Sequence, residues 1–360
     1  MTDATVAGVD TGLYGVPTDA SLEDATQSFD ELELVVARIE TSAGVEGVGF
    51  TYTIGEGGTA IRRFLDDVLV PAIAGESAAP QAARNRLRAE TTFVGREGVS
   101  ELALSAVDIA LWDAVGKAAG TPLYTLLGGA REPVPAYETD GGWLQFDEAT
   151  LEENAAAAAA AGFSGMKMKV GRGYAEDAAR VRAVDEVLPA GMDLLLDANC
   201  AYTVPEARRF AARIDDLDVG WLEEPLEKGD YEGHATLRDR IDVPVALGEN
   251  LYNPTQFKQV LARGAADVLQ PDVCRVGGIT PWTTVARAAT LRETPVSPHY
   301  VEPVHVHLAA ALDNVPYVEH HSTVLDAVLD APLEPADGRF LPPDDPGHGV
   351  AFDGLDRYEK

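Results

Sequence analysis

Asp197, Glu223 and Glu249 recur at a regular interval, 26 residues apart each time. Each closes a short apolar run: Leu-Leu-Leu before Asp197, Trp221-Leu222 before Glu223, and Val245-Ala-Leu-Gly before Glu249. If the runs are successive strands of one parallel barrel, the three carboxylates meet at its C-terminal mouth. Carboxylates held together raise one another's pKa unless a cation sits between them. An all-oxygen site with open positions suits Mg²⁺, which keeps waters or substrate oxygens as further ligands. Asp272 and His299 close two later runs, and a carboxylate beside an imidazole fixes its tautomer and raises its basicity. The histidines His234, His305, His307, His320, His321 and His348 have no such partner in the pattern, and His305 and His307 read as structural.

The chain has only six lysines, yet Lys167 and Lys169 stand two residues apart in one apolar run. In a strand, period-two alternation sends both ammonium groups to the same face. Beside a metal that binds a substrate carboxylate, such a pair has an evident use. The cation stabilises the negative charge that develops when an α-proton leaves. Lys169, its pKa lowered by Lys167 and by burial, would serve as base on one face of that carbon, and His299 on the other. Glu319, at the end of the last run, could donate a hydrogen bond if burial keeps it protonated.

These residues need a scaffold that brings strand ends together. From about residue 134 short apolar runs alternate with helical segments, and the runs end near Tyr137, Lys169, Asp197, Glu223, Glu249, Asp272, His299 and Glu319. Helical patterns over about 150–161, 174–187 and 205–214 fill the intervals. Eight βα units fit a (β/α)₈ barrel, with a doubly wound sheet as the alternative. Before them, residues 1–30 read as a long surface loop of the kind that forms lids, with Leu13, Tyr14 and Val16 as apolar islands. A hairpin over 32–39 and 45–53 follows, then helices over about 59–73, 80–90 and 99–119. Residues 1–130 thus form an α+β domain and residues 131–330 a barrel that carries the candidate catalytic residues. The Pro/Gly/Asp-rich tail, 331–360, is expected to pack back on the first domain.

Composition bounds the partners. The net charge is −31, from 59 acidic and 28 basic residues spread along the chain. This matches an acidic surface over a folded body, resembles proteins adapted to high salt, and disfavours nucleic acid and anionic membranes. No apolar run is long enough to span a bilayer, and no basic segment followed by an apolar one opens the chain, so a cytoplasmic location is expected. The two cysteines, Cys200 and Cys274, read as reduced apolar residues.

Taken in order, these motifs resemble the enolase superfamily, mandelate racemase subgroup. The resemblance spans nearly the whole chain. It includes the helix Ala103–Asp113, Lys-x-Lys at 167–169, Asp-x-Asn at 197–199, Glu-Glu-Pro at 223–225, Gly-Glu-Asn at 248–250, the Asp272/His299 dyad and Glu319. It implies a modified TIM barrel, (β/α)₇β, that lacks the last helix, under an N-terminal α+β cap. It implies Mg²⁺ on Asp197, Glu223 and Glu249, and Lys169 and His299 as the acid/base pair. It further implies Lys167 on the substrate carboxylate, Glu319 on the enediolate and Asn199 on a substrate hydroxyl, with Tyr14 of the lid as a contact. A symmetric homo-oligomer, for which an octamer is the candidate, acting on a small carboxylate is also implied.

A lysine in place of the Asp272/His299 dyad would mark the muconate-cycloisomerase or dipeptide-epimerase type, so that subgroup is disfavoured. Three readings are left: an acid-sugar dehydratase giving a 2-keto-3-deoxy acid, a racemase or epimerase using the same two groups, and a metal-binding protein of this fold without turnover. Gly141, Gly142, Trp143 and Arg275 have no assigned role.

Overall fold

The helix Val99–Ala119 is the spine of the N-terminal part in the computed structural model, which describes residues 4–322 and 324–360. The first three residues of the expected capping domain therefore lie outside the described ones. The helix is buried on most of its surface and ends at Gly120 in the left-handed conformation. It packs on an antiparallel sheet of three strands, β1 (Val6–Glu23), β2 (Ser28–Thr41) and β3 (Glu46–Ile54), in that order. The approach is close because β3 carries Gly47 and Gly49: a Cβ on either would stand 2.0 Å from the carbonyl oxygen of Ala110 or Ala106. Helices Gly58–Phe64 and Pro80–Glu90 complete this layer.

Over Val6–Glu23 the expected loop is a strand instead. β1 pairs with β2 from Val6↔Thr41 to Glu23↔Ser28. Its Gly, Asp and Thr content hides it from propensity, but the backbone ladder needs no particular side chains, and Val6, Leu13, Val16 and Leu22 are buried. The lid is therefore the tip of a hairpin. Asp24 Oδ1 accepts from the backbone N–H groups of Thr26 (2.7 Å) and Gln27 (3.0 Å), which closes that tip.

The second sheet is parallel and curls on itself. Its strands are β4 (Val134–Glu138), β5 (Gly165–Lys169), β6 (Asp193–Asp197), β7 (Val219–Glu223), β8 (Val245–Leu247), β9 (Val268–Leu269) and β10 (Val318–His320). From β4 to β9 consecutive strands are neighbours, and β10 returns to β4, so the doubly wound alternative does not apply. The seventh barrel position is a single bridge, Leu269↔Val296. A helix follows each of the first seven positions, and only a 3₁₀ turn, Leu325–Val328, follows β10. This is the (β/α)₇β arrangement. β11 (Arg339–Phe340) adds to β4 from the tail.

Alternation sorts the barrel residues. On β5, Met166 and Met168 pack outward with Leu194 and Leu196, while Lys167 and Lys169 point inward. Tyr137, Leu195, Trp221, Ala246 and Val268 fill the barrel below them. The tail touches both parts: Leu123 N–H donates to Gly347 O at 2.7 Å, Tyr14 bridges Glu359, and Lys360 pairs with Glu31 and Glu33. Among the described residues no helix is long and apolar enough to cross a membrane.

Candidate active site

Asp197 and Glu223 end β6 and β7, and Glu249 follows β8 by two residues. One oxygen from each lies within 4.8 Å of the others, and all three side chains are buried. Glu223 Oε1 has no hydrogen-bond partner although it is sealed from solvent. A buried carboxylate oxygen without a donor is costly, and a hard cation is the partner its chemistry fits. Burial and the charge of Asp197 push Glu223 up to about 7.

Two cations face the triad. Lys169 Nζ lies 2.5 Å from Asp197 Oδ2, and Lys167 Nζ lies 3.0 Å from Glu223 Oε2 and 2.6 Å from Glu319 Oε1. The expected lowering of Lys169 does not hold. Burial does pull it down and Lys167 adds to this, but Asp197, Glu249 and Glu223 outweigh both and hold it above its ordinary value. Glu319 corrects a second expectation. Burial would keep it protonated, yet Lys167 and His299 hold it well below the usual carboxylate range. It accepts from Thr139 Oγ1 and Tyr300 N–H, each at 2.8 Å. Lys167 also departs from its expected place. It is 1% exposed, lies over the Tyr137 ring and stands behind the cavity wall rather than on it.

His299 flanks the other side. Its Nδ1 is 3.0 Å from Asp272 Oδ2 and its Nε2 is 3.1 Å from Glu249 Oε2. Burial lowers His299, but Glu249, Asp272 and Glu319 raise it to about 9. Asp272 is held down by its hydrogen bond to His299 against the upward pull of burial. The backbone around the site is strained: Asn199, Cys200, Glu224, Tyr300 and Val301 all have positive φ without being glycine.

Lys169, Asn199, Glu249, His299 and Glu319 line one cavity of about 400 Å³. The hairpin tip closes it with Asp24, Thr26, Gln27 and Phe29. Tyr14, the expected lid contact, is not among the lining residues; its backbone bridges Glu359 in the tail. Several lining residues carry no signal in the sequence. Trp143 places its ring 5.4 Å from Lys169 Nζ and edge-on to Phe29, with its indole nitrogen buried and unpartnered. Arg275 stands 3.8 Å from Glu249 Oε1. Glu224 accepts from Asn250 Nδ2 at 2.7 Å and from the Cys200 thiol at 3.5 Å. Tyr52 arrives from β3, and the alternation Phe50, Tyr52, Ile54 was its one local hint.

Known proteins resemble this chain in sequence and fold. Residues 10–128 match the mandelate racemase / muconate lactonizing enzyme N-terminal domain, and residues 150–356 match the enolase C-terminal domain-like family. A 3,6-anhydro-alpha-L-galactonate cycloisomerase of Streptomyces coelicolor is 37% identical over 352 residues, 96% of each chain. An L-talarate/galactarate dehydratase of Salmonella typhimurium is 35% identical over 89% of this chain and 80% of its own. The crystal structure of L-talarate dehydratase from Polaromonas sp. JS666, complexed with Mg and L-glucarate, superposes with a TM-score of 0.94 at 35% identity, covering 99% of this chain and 98% of that one. An acidic triad of the right chemistry and a magnesium-bearing relative agree on the cofactor. The chain belongs to the mandelate racemase / muconate lactonizing enzyme family of the enolase superfamily and is an enzyme of that group.

Proposed function

We propose that this enzyme removes the α-proton of a 2-hydroxycarboxylate and dehydrates a sugar acid to a 2-keto-3-deoxy acid. One observation carries the reading. Lys169 and His299 line the same cavity from the two sides of the Asp197–Glu223–Glu249 triad, each bonded to a different member of it. The three acids are the metal ligands in this reading, and Mg²⁺ held there supplies positive charge against the charge the substrate carboxylate gains when its α-proton leaves. Lys169, held as an ammonium by the uncompensated charge of Asp197, Glu249 and Glu223, would be a free amine once a cation neutralises those carboxylates, and in that form takes the proton from one face. His299, fixed through Nδ1 by Asp272, presents Nε2 to the other. The electron pair of the broken C–H bond forms the enediolate, and the β C–O bond then breaks with its own pair. The Nε2 proton goes to the departing hydroxyl, which leaves as water, and the resulting enol tautomerises to the keto acid.

Lys167 balances Glu223 and Glu319 beneath the site, and Asn199, whose Oδ1 has no partner, is the group for a substrate hydroxyl. A polar, polyhydroxylated acid suits a wall of Asp24, Thr26, Gln27, Asn199 and Arg275. The relative named for talarate and galactarate supports the same class. A second reading, racemisation or epimerisation at the α-carbon, draws on the same two-sided placement of bases. A library of sugar acids with Mg²⁺ at high salt separates the two. Formation of 2-keto acid is the expected result, whereas α-deuterium exchange without keto acid sinks the dehydratase and leaves the racemase. Exposed Phe93 and Val94, between helices Pro80–Glu90 and Val99–Ala119, support the expected homo-oligomer, whose size light scattering would measure.

A further inference from the structure

Three consecutive residues of β3 reach from the cap onto the barrel loop that carries Asp272. Phe50 O accepts the Cys274 thiol at 3.4 Å, Thr51 Oγ1 donates to Cys274 O at 2.8 Å, and the Tyr52 hydroxyl donates to Asp272 Oδ2 at 2.5 Å. Asp272 is fully buried, so its bonds come from the protein alone. Oδ1 accepts the Cys274 N–H at 2.7 Å, and Oδ2 takes both Tyr52 and His299 Nδ1. The Tyr52 ring stands edge-on to Tyr300, with centroids 5.0 Å apart. Burial, then the charge of Asp272, holds the Tyr52 phenol well above its ordinary value, so it stays a donor.

The proton-transfer reading above makes no use of a tyrosine from the cap. Rotation about the last torsion of an aspartate is soft, and an imidazole bonded to a turning carboxylate turns with it. Donors on both oxygens remove that freedom. We propose that Tyr52 is a positioning residue of the Asp272/His299 dyad: it shares Oδ2 with the imidazole, locks the carboxylate plane, and makes the aim of His299 Nε2 depend on the docked cap sheet. The proposal rests on His299 being a proton-transfer group.

Tyr52→Phe keeps the ring and removes only the hydroxyl. In metal-loaded protein labelled with [¹⁵N]histidine, the His299 Nδ1–H signal, identified by its loss in His299→Asn, should exchange with solvent about tenfold faster in Tyr52→Phe. That is the size expected for one hydrogen bond to a charged group. Thr51→Val, which loosens the same clamp away from Asp272, should leave the signal unchanged. On the first sugar acid found to exchange, Tyr52→Phe should lower kcat about tenfold for the stereoisomer served by His299. KM should stay within about twofold, and the isomer served by Lys169, which also reports that the variant is folded, should be unaffected. An unchanged Nδ1–H signal, equal losses on both faces, or a raised KM at parent kcat would each overturn the proposal. If His299→Asn leaves exchange on both faces intact, the proton-transfer reading fails, and the Nδ1–H measurement still decides the role of Tyr52.

Discussion

Lys167 Nζ and Glu319 Oε1 stand 2.6 Å apart, and each side chain is 1% exposed. The pair sits under the metal triad, because the same ammonium also holds Glu223 at 3.0 Å. Removing one partner of a buried pair leaves an uncompensated charge, which costs about 3–5 kcal/mol. Lys167→Met should therefore lower the unfolding free energy by about that amount, measured by urea denaturation. Lys167→Met combined with Glu319→Gln should recover part of the loss, since the second charge is then gone too.

The two proposed bases should separate by stereochemistry. Lys169→Ala is expected to slow α-deuterium exchange of one isomer by about 10²–10⁴-fold and leave the other near the parent rate; His299→Asn should do the reverse. Proton NMR of the recovered acid reads both. Parent rates on both faces in Lys169→Ala would remove Lys169 from the reaction.

Metal should stabilise the fold because it fills the gap between buried carboxylates. With Mg²⁺ at a hundredfold over its dissociation constant, linkage predicts about 2.7 kcal/mol of added stability. Chelation should lower the melting temperature and Mg²⁺ should restore it. In Glu223→Gln the response to Mg²⁺ should largely disappear.

Acid should weaken the protein before its paired carboxylates titrate. Burial lowers His305 to about 4 and His307 to about 3. His305 is held neutral at both ends, since Nε2 accepts the Val273 N–H at 3.1 Å and Nδ1 donates to Tyr300 O. Below about 6.5 the unfolded chain binds protons at these histidines and the folded chain does not, so stability falls with pH from there down to the folded values. Between about pH 6.5 and 5 these two histidines should remove up to about 4 kcal/mol, set against the gain from carboxyls such as Glu223 that burial holds up to about 7, so their share is read as the difference in pH slope between the parent and the His307 variant in denaturant unfolding at fixed high salt. His307→Phe should be less stable at neutral pH and flatter across that range.

The spacing of Asp197, Glu223 and Glu249 and the alternation at Lys167 and Lys169 placed most of the site in advance. A parallel barrel converts a regular interval along the chain into adjacency at one mouth, and a strand converts a spacing of two into a shared face. The helices at 80–90 and 99–119 were legible for a similar reason, since their periodicity is local.

What the tertiary structure alone decided is which groups face each other. Tyr52 meets Asp272 across 220 residues, and no period links them. β1 looked like a loop because its stability lies in backbone bonds to β2 rather than in side chains. Tyr14 sits on that strand away from the cavity. The direction of the Lys169 and Glu319 shifts also belongs here. The sequence predicts that both lie among charges, but the balance between desolvation and Coulomb attraction depends on distances of about 2.5 Å, which only the closed barrel sets.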